Sequence, residues 1–193
     1  MKNLFHSFKK LLPVFLLVVF PNVQAQEAKI VLSESKVVVF GTSNVHDWTV
    51  EAKAMNGTAN YTVESNVLKA IPKLNFSVEV EQLKSGKKGM DENTYKALKS
   101  KSFKTIDYAL VKVNSITASG TNYTIETSGD LTIAGVTKRV NIIFTAAISG
   151  KKMILTGKHK IDMTSFNVEP PKALMGTIKT GKDVTVDFKV TYN

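Results

Sequence analysis

Apolar and polar residues alternate along most of the chain after residue 35. In HDWTVEAKA, His46, Trp48, Val50, Ala52 and Ala54 share one side, and Asp47, Thr49, Glu51 and Lys53 take the other. LNFSVEVEQ sets Leu74, Phe76, Val78 and Val80 opposite Asn75, Ser77, Glu79 and Glu81. The same period of two runs through NYTIETSGDLTIAG, VNIIFTAAI, KMILTGKHKIDM and DVTVDFKVTY. Successive side chains of a strand point to opposite faces, so each segment predicts a strand with one buried and one wet side. Antiparallel sheets read this way, whereas strands covered on both faces read as unbroken apolar runs. Gly120, Gly135, Gly150 and Gly181 fall between the runs and predict tight reversals. TIDYALVKV breaks the rule, with Ile106, Tyr108 and Leu110 on one face but Val111 and Val113 on the other. A β-bulge or cover by a helix would account for it.

MDENTYKALKSKSF predicts the one helix, over about residues 91–100. Asp91 is placed as its N-cap, Glu92 suits the first turn, and Met90 and Tyr95 are set for a hydrophobic staple. A helix this short among so many strands reads as a cover. About eight long antiparallel strands must manage their edges, and closing into a barrel removes them. A barrel of that size encloses side chains or one ligand. The expected fold is therefore all-β: an eight-stranded antiparallel barrel, one domain over residues 26–193, with the helix as cover.

Residues 1–25 stand outside this pattern. Lys2, Lys9 and Lys10 precede the apolar run LLPVFLLVVF, and Val23 and Ala25 occupy small-residue positions in PNVQAQ. That order is a secretory signal, with cleavage expected after Ala25, and the run is shorter than the ~20 residues a bilayer requires. The protein is thus expected in the periplasm or outside the cell. Loss of three lysines lowers the formal charge from +10 to +7. The remaining lysines are scattered, which suits a solvated surface with weak attraction to anionic membrane and no nucleic-acid partner. A monomer or homodimer is expected. The absence of cysteine excludes thiol catalysis, zinc–cysteine sites and iron–sulfur clusters.

Two histidines remain after the leader, His46 and His159, and strand parity puts both on inward faces. Asp47 and Asp162 point the other way, which leaves a poor ligand set for a metal. No G-x-S-x-G elbow or Gly-rich phosphate loop occurs. Neither a catalytic residue nor a cofactor is expected. The inward faces combine large Trp48, Phe76, Tyr108, Phe144 and Phe188 with small Ala52, Ala54, Ala146 and Gly157. Two arrangements fit these types: a jigsaw core, or a pocket for an elongated apolar molecule. In the second, the five aromatics with His46 and His159 are the candidate ligand contacts.

GDLTIAGVTKRV, read as a hairpin reversing over 135–138, resembles the G-x-L-T-I-x-G-V-T-K/R signature of the YceI-like family of exported bacterial proteins. MDENTYKALKSKSFKTIDYAL resembles that family's short helix and following strand, and HKIDMTSFNVEPP with GKDVTVDFKV its closing segments. The resemblance runs from Ser35 to Asn193. It implies an eight-stranded, lipocalin-like barrel with a hydrophobic tunnel, in a family described as binding polyisoprenoid chains, including quinones and prenyl phosphates. The family's usual His-Ser pair in the first strand is replaced here by Ser43, His46 and Asp47 in FGTSNVHDWTV. The leading expectation is an exported binder or carrier of an isoprenoid- or quinone-like lipid. A cell-envelope interaction module with a filled core is the second, and a hydrolase or isomerase acting on a bound lipid the third.

Overall fold

The computed structural model describes residues 27–193. The expected leader lies outside the described residues. Twelve strands follow one another: β1 (Glu27–Lys29), β2 (Lys36–Ser43), β3 (Trp48–Ala52), β4 (Met55–Glu64), β5 (Val67–Glu79), β6 (Leu83–Lys84), β7 (Thr105–Ser119), β8 (Asn122–Ile133), β9 (Val136–Ser149), β10 (Lys152–Asp162), β11 (Lys172–Ala173) and β12 (Ile178–Tyr192). The helix α1 (Lys88–Ala97) stands between β6 and β7. Strand pairing is antiparallel throughout, in the order β1-β4-β5-β7-β8-β9-β10-β12-β2-β3-β6, with β11 beside β12.

The sheet curls until its start meets β12. One edge of β12 carries β10, and its other edge carries β2 from Thr180 to Lys189. Beyond β2, Ile30 bridges Tyr192 on that same edge, and Lys29 and Asn193 exchange backbone hydrogen bonds of 3.0 and 2.9 Å. Pairing that returns to its own beginning leaves fewer open edges.

The expectation of eight strands needs correction: the described residues form twelve. Three of the passes are interrupted. A 3-10 turn at Leu32–Glu34 separates β1 from β2, residues 53–54 separate β3 from β4, and a second 3-10 turn at Val80–Gln82 separates β5 from β6. Hydrogen bonds from Lys53 N to Gln82 O (2.9 Å) and from Glu79 N to Ala54 O (3.3 Å) bridge two of the breaks. The interruption at 53–54 also flips the inward parity, since Ala52 and Met55 are both buried.

The irregular TIDYALVKV stretch is bulged. Pairing of β7 with β8 shifts register between Leu110 and Lys112 and again between Val113 and Ser115. Val111 is the extra residue of the first bulge and is turned outward, 50% exposed. The first bulge returns Val113 to the core side, and the second does the same for Ile116. Gly181 is not at a reversal; it sits inside β12, where pairing with β2 shifts register between Thr180 and Val184. The β8–β9 reversal comes earlier than expected, at Ala134 and Gly135, with φ of 49° and 81°. Two positive φ values are the type I′ geometry that matches strand twist. Lys138 and Arg139 are therefore strand residues rather than the tip, and Arg139 meets its cross-strand partner Asp130 at 2.6 Å.

One half of the barrel is filled. Ala59, Ile125, Ala146 and Met153 are wholly excluded from solvent. The inward hydroxyls of Tyr123 and Thr127 are tied down there, the Leu68 amide donating to Tyr123 (3.2 Å) and Thr127 Oγ1 donating to Ile142 O (2.9 Å). Toward the other end the inward side chains Ile142, Val184, Val186 and Phe188 are only half-buried, because they face a space rather than one another.

This division predicts a difference between two identical substitutions. Ile125→Ala, in the filled half, should cost about 3 kcal/mol, within the range for deleting a packed Ile side chain. Ile142→Ala, at the edge of the space, should cost at least ~1 kcal/mol less, because fewer packed contacts are lost. Urea unfolding of both variants checks this; equal costs would mean the second half is also packed.

Candidate ligand cavity

Inward side chains of most of the strands enclose a cavity of about 560 Å³. Leu74, Phe76 and Val78 of β5, Leu131 and Ile133 of β8, and Leu155, His159 and Ile161 of β10 contribute, each on the parity that alternation assigns them. On these strands the residues nearer the filled end, such as Leu68, Ile125 and Met153, take no part.

The helix closes over this end. It spans Lys88–Ala97, three residues earlier than expected, and Lys87 rather than Asp91 is its N-cap residue. Asp91 instead accepts hydrogen bonds from Ser85 N (2.7 Å) and Ser85 Oγ (2.5 Å), which anchors the first turn to the end of β6. Met90, Asn93, Thr94 and Ala97, at helical spacing, face the cavity. Tyr95 turns away, donating to Leu83 O (3.0 Å) and accepting from Lys84 Nζ (2.8 Å). On the opposite side of the mouth, Asp162 caps the 3-10 turn Met163–Phe166, accepting from Thr164 N (3.0 Å) and Thr164 Oγ1 (2.6 Å). With Lys182 also bonded to it, its carboxyl is held down to about 2.

All seven candidate residues line the cavity, but not alike. Trp48, Phe76, Tyr108, Phe144 and Phe188 belong to the wall. Tyr108 and Tyr192 are buried with their hydroxyls already engaged, Tyr108 with Thr127 Oγ1 (3.2 Å) and Tyr192 donating to Asn75 O (3.1 Å). His159 is on β10, half-buried, facing inward. His46 is not on a strand: it lies in the 44–47 turn before β3, exposed at the mouth, where its Nδ1 donates to Asp47 O (2.8 Å). The turn carries it there because Ser43 Oγ accepts from the amides of Val45 and His46.

Small residues do not make the room. Ala52 and Ala146 are core residues outside the cavity wall, and Ala54 is no part of that wall either. What keeps the space open is a pairing of glycine with an aromatic ring on the neighbouring strand. A Cβ on Gly41 would come 2.0 Å from the Trp48 ring, one on Gly129 2.4 Å from Tyr108, and one on Gly157 2.7 Å from Phe188. Each ring thus lies over a glycine, along the wall rather than across the lumen. Trp48 is further fixed by Nε1 donating to Thr42 O at 2.9 Å. Sequence reasoning missed Gly41, Gly129, Tyr192 and the helix face; parity already put Tyr192 inward, but the glycine pairs need the register.

Comparison with known proteins follows the same lines. The model of the YceI-like domain matches residues 28–192. The chain belongs to the YceI-like family. Similar solved structures include Burkholderia cenocepacia BcnA, at 17% identity and TM-score 0.67, covering 84% of this chain and 98% of that one. A polyisoprenoid-binding domain from Saccharophagus degradans, implicated in plant cell wall breakdown, matches at 11% identity and TM-score 0.68, covering 88% and 99%. A YceI protein of Campylobacter jejuni matches at 17% identity and TM-score 0.57, covering 72% and 81%. At these identities the likeness is one of fold. No curated protein matches the chain.

Two outcomes are expected. Gly157→Ala should drive the Phe188 ring into the lumen, lowering uptake of a fluorescent apolar probe and costing about 1–3 kcal/mol as overpacking; unchanged uptake would show the ring has room to move. Burial holds the His159 pKa below its usual 6.5. Above 6.5 it is neutral folded or unfolded, so its effect is constant; as pH falls below 6.5 the unfolded chain takes the proton first and stability drops. Denaturant midpoints of the His159→Gln variant should therefore fall less steeply than wild type on acidification.

Proposed function

We propose that this YceI-like protein binds an elongated, apolar, isoprenoid-like lipid in the cavity and acts as a binder or carrier rather than a catalyst. The observation that carries this reading is the ring of apolar side chains left half-buried around one continuous space. Such walls are costly to leave facing water, and an apolar occupant recovers about 0.8 kcal/mol per buried CH₂. The volume, about 560 Å³, falls within the range of small-molecule sites. A structural neighbour described as polyisoprenoid-binding supports the same choice. Export to the periplasm or beyond, with weak contact to anionic membrane, is part of the proposal and rests on the leader and the positive charge. The alternative of a filled interior suits only the half around Ile125.

Trp48 is the chain's single tryptophan and stands in the cavity wall, so its fluorescence reports occupancy. Lipid extracted from the purified protein should contain an isoprenoid by mass spectrometry, and an added isoprenoid should change Trp48 emission saturably. Val186→Phe, which fills the lumen from β12, should reduce both at least roughly tenfold, equivalent to about 1.4 kcal/mol. Absence of carried lipid together with probe uptake indifferent to Val186→Phe would overturn the reading.

A further inference from the structure

The polar groups that line the cavity are unevenly committed. At the deep end the Tyr108 and Tyr192 hydroxyls are engaged by Thr127 and Asn75. At the mouth, the Asn93 side chain of the covering helix has no hydrogen-bond partner among the described residues, His46 uses Nδ1 on Asp47 O, and the cations Lys87 and Lys172 are exposed, Lys172 beside Glu169 at 3.4 Å. Between them stands His159. Its cross-strand partner on β12 is Val186. On its other side, pairing of β10 with β9 has already ended at Thr156 and Thr145, so no neighbouring residue is in register with it. Among the described residues, neither ring nitrogen of His159 has a hydrogen-bond partner, and no lysine or arginine lines the cavity at that depth.

We infer that His159 is the head-group contact of the cavity, and that it selects a lipid whose polar group is uncharged, such as a prenyl alcohol or a quinone, over a prenyl phosphate. This rests on the lipid-binding reading above and names its ligand class. An occupant that fills the space must pass His159, whichever end enters first. A purely hydrocarbon stretch there leaves two imidazole nitrogens dry and unpaired, which costs free energy; a hydroxyl or carbonyl at the same depth restores a hydrogen bond. The neutral imidazole carries one donor and one acceptor, so it suits either group. A phosphate drawn to that depth would be a buried anion with no cation beside it. Left at the mouth instead, it would gain only the weak attraction of solvent-exposed lysines and would leave His159 unpaired.

Geranylgeraniol, geranylgeranyl monophosphate and phytane share one branched carbon skeleton and separate these terms. Their affinities for the full mature chain are read from displacement of a bound apolar fluorophore and from Trp48 emission. The alcohol should bind roughly tenfold tighter than phytane, as one net hydrogen bond implies, and roughly tenfold tighter than the phosphate. His159→Leu should bring the alcohol to the level of phytane without weakening phytane, and His159→Gln should retain part of the difference. Phosphate binding as tight as the alcohol and weakened by salt would overturn the assignment, as would an alcohol preference that survives in a folded His159→Leu. If all three bind equally, the head-group contact fails while the lipid reading stands. If none binds, both fail.

Discussion

The molecule depends on β12 being paired along both edges. A sheet this long, with one face wet and one apolar, must either pack against another layer or curl onto itself. Here β10 holds one side of β12, and β2 followed by Ile30 holds the other. The curl puts the apolar faces of successive strands around a common axis, and it works without a second layer. The 3-10 turn at Leu32–Glu34 allows this closure: it lets a single edge of β12 receive β2 and then the start of the chain.

Closure alone does not decide whether the interior is solid. The filled half packs Ile125, Ala146 and Met153 with no exposure at all, and Thr127 hides among them by donating to Ile142 O. In the hollow half the same alternation supplies equally apolar residues, including larger ones. Three of the aromatics there are accommodated by glycine on the adjacent strand, so their area goes to the wall. That is an unusual use of size: the bulkiest side chains border the empty part, and the tightest packing contains alanines. A core designed only for stability would reverse this, since unfilled space forfeits dispersion contacts that nothing else in the fold replaces. The cost is tolerable because the other half is dense, and it is the kind of compromise that a binding site requires.

Alternation made most of this legible in advance. Strand existence, inward parity on β5, β8, β9, β10 and β12, and the presence of a covering helix all follow from a period of two or of 3.6 residues. The breaks were not legible as turns: at 53–54 and 80–82 the buried set slips by one residue, from Ala52 to Met55 and from Val80 to Leu83, and the break at 32–34 precedes the alternating region. Helix placement failed by three residues at Asp91 because a good capping residue was diverted to Ser85, a tertiary partner that no local rule identifies. His46 was misassigned for a related reason: its alternation with Trp48 is real, but Ser43 Oγ holds the amides of Val45 and His46 in a turn, and the strand starts only at Trp48. The glycine–aromatic pairs are a matter of register. Gly41 faces Trp48 and Gly157 faces Phe188 across strands far apart in the chain or joined by a turn, and neither distance is written in the spacing of either strand.

The placement of polar groups follows from the same geometry. Where two strands pair along their length, an inward hydroxyl finds a backbone carbonyl across the ladder, as Thr127 does at Ile142 O. Where strands part, that partner is missing. β9 and β10 separate beyond Thr145 and Thr156, just as the cavity widens, and His159 is the polar residue on the inward face of β10 past that point. The separation that opens the space therefore also leaves one side chain in it with unspent hydrogen-bonding capacity. In a solid core such a residue would be a defect; beside a cavity, it is a point at which an occupant can be recognised by something other than its length.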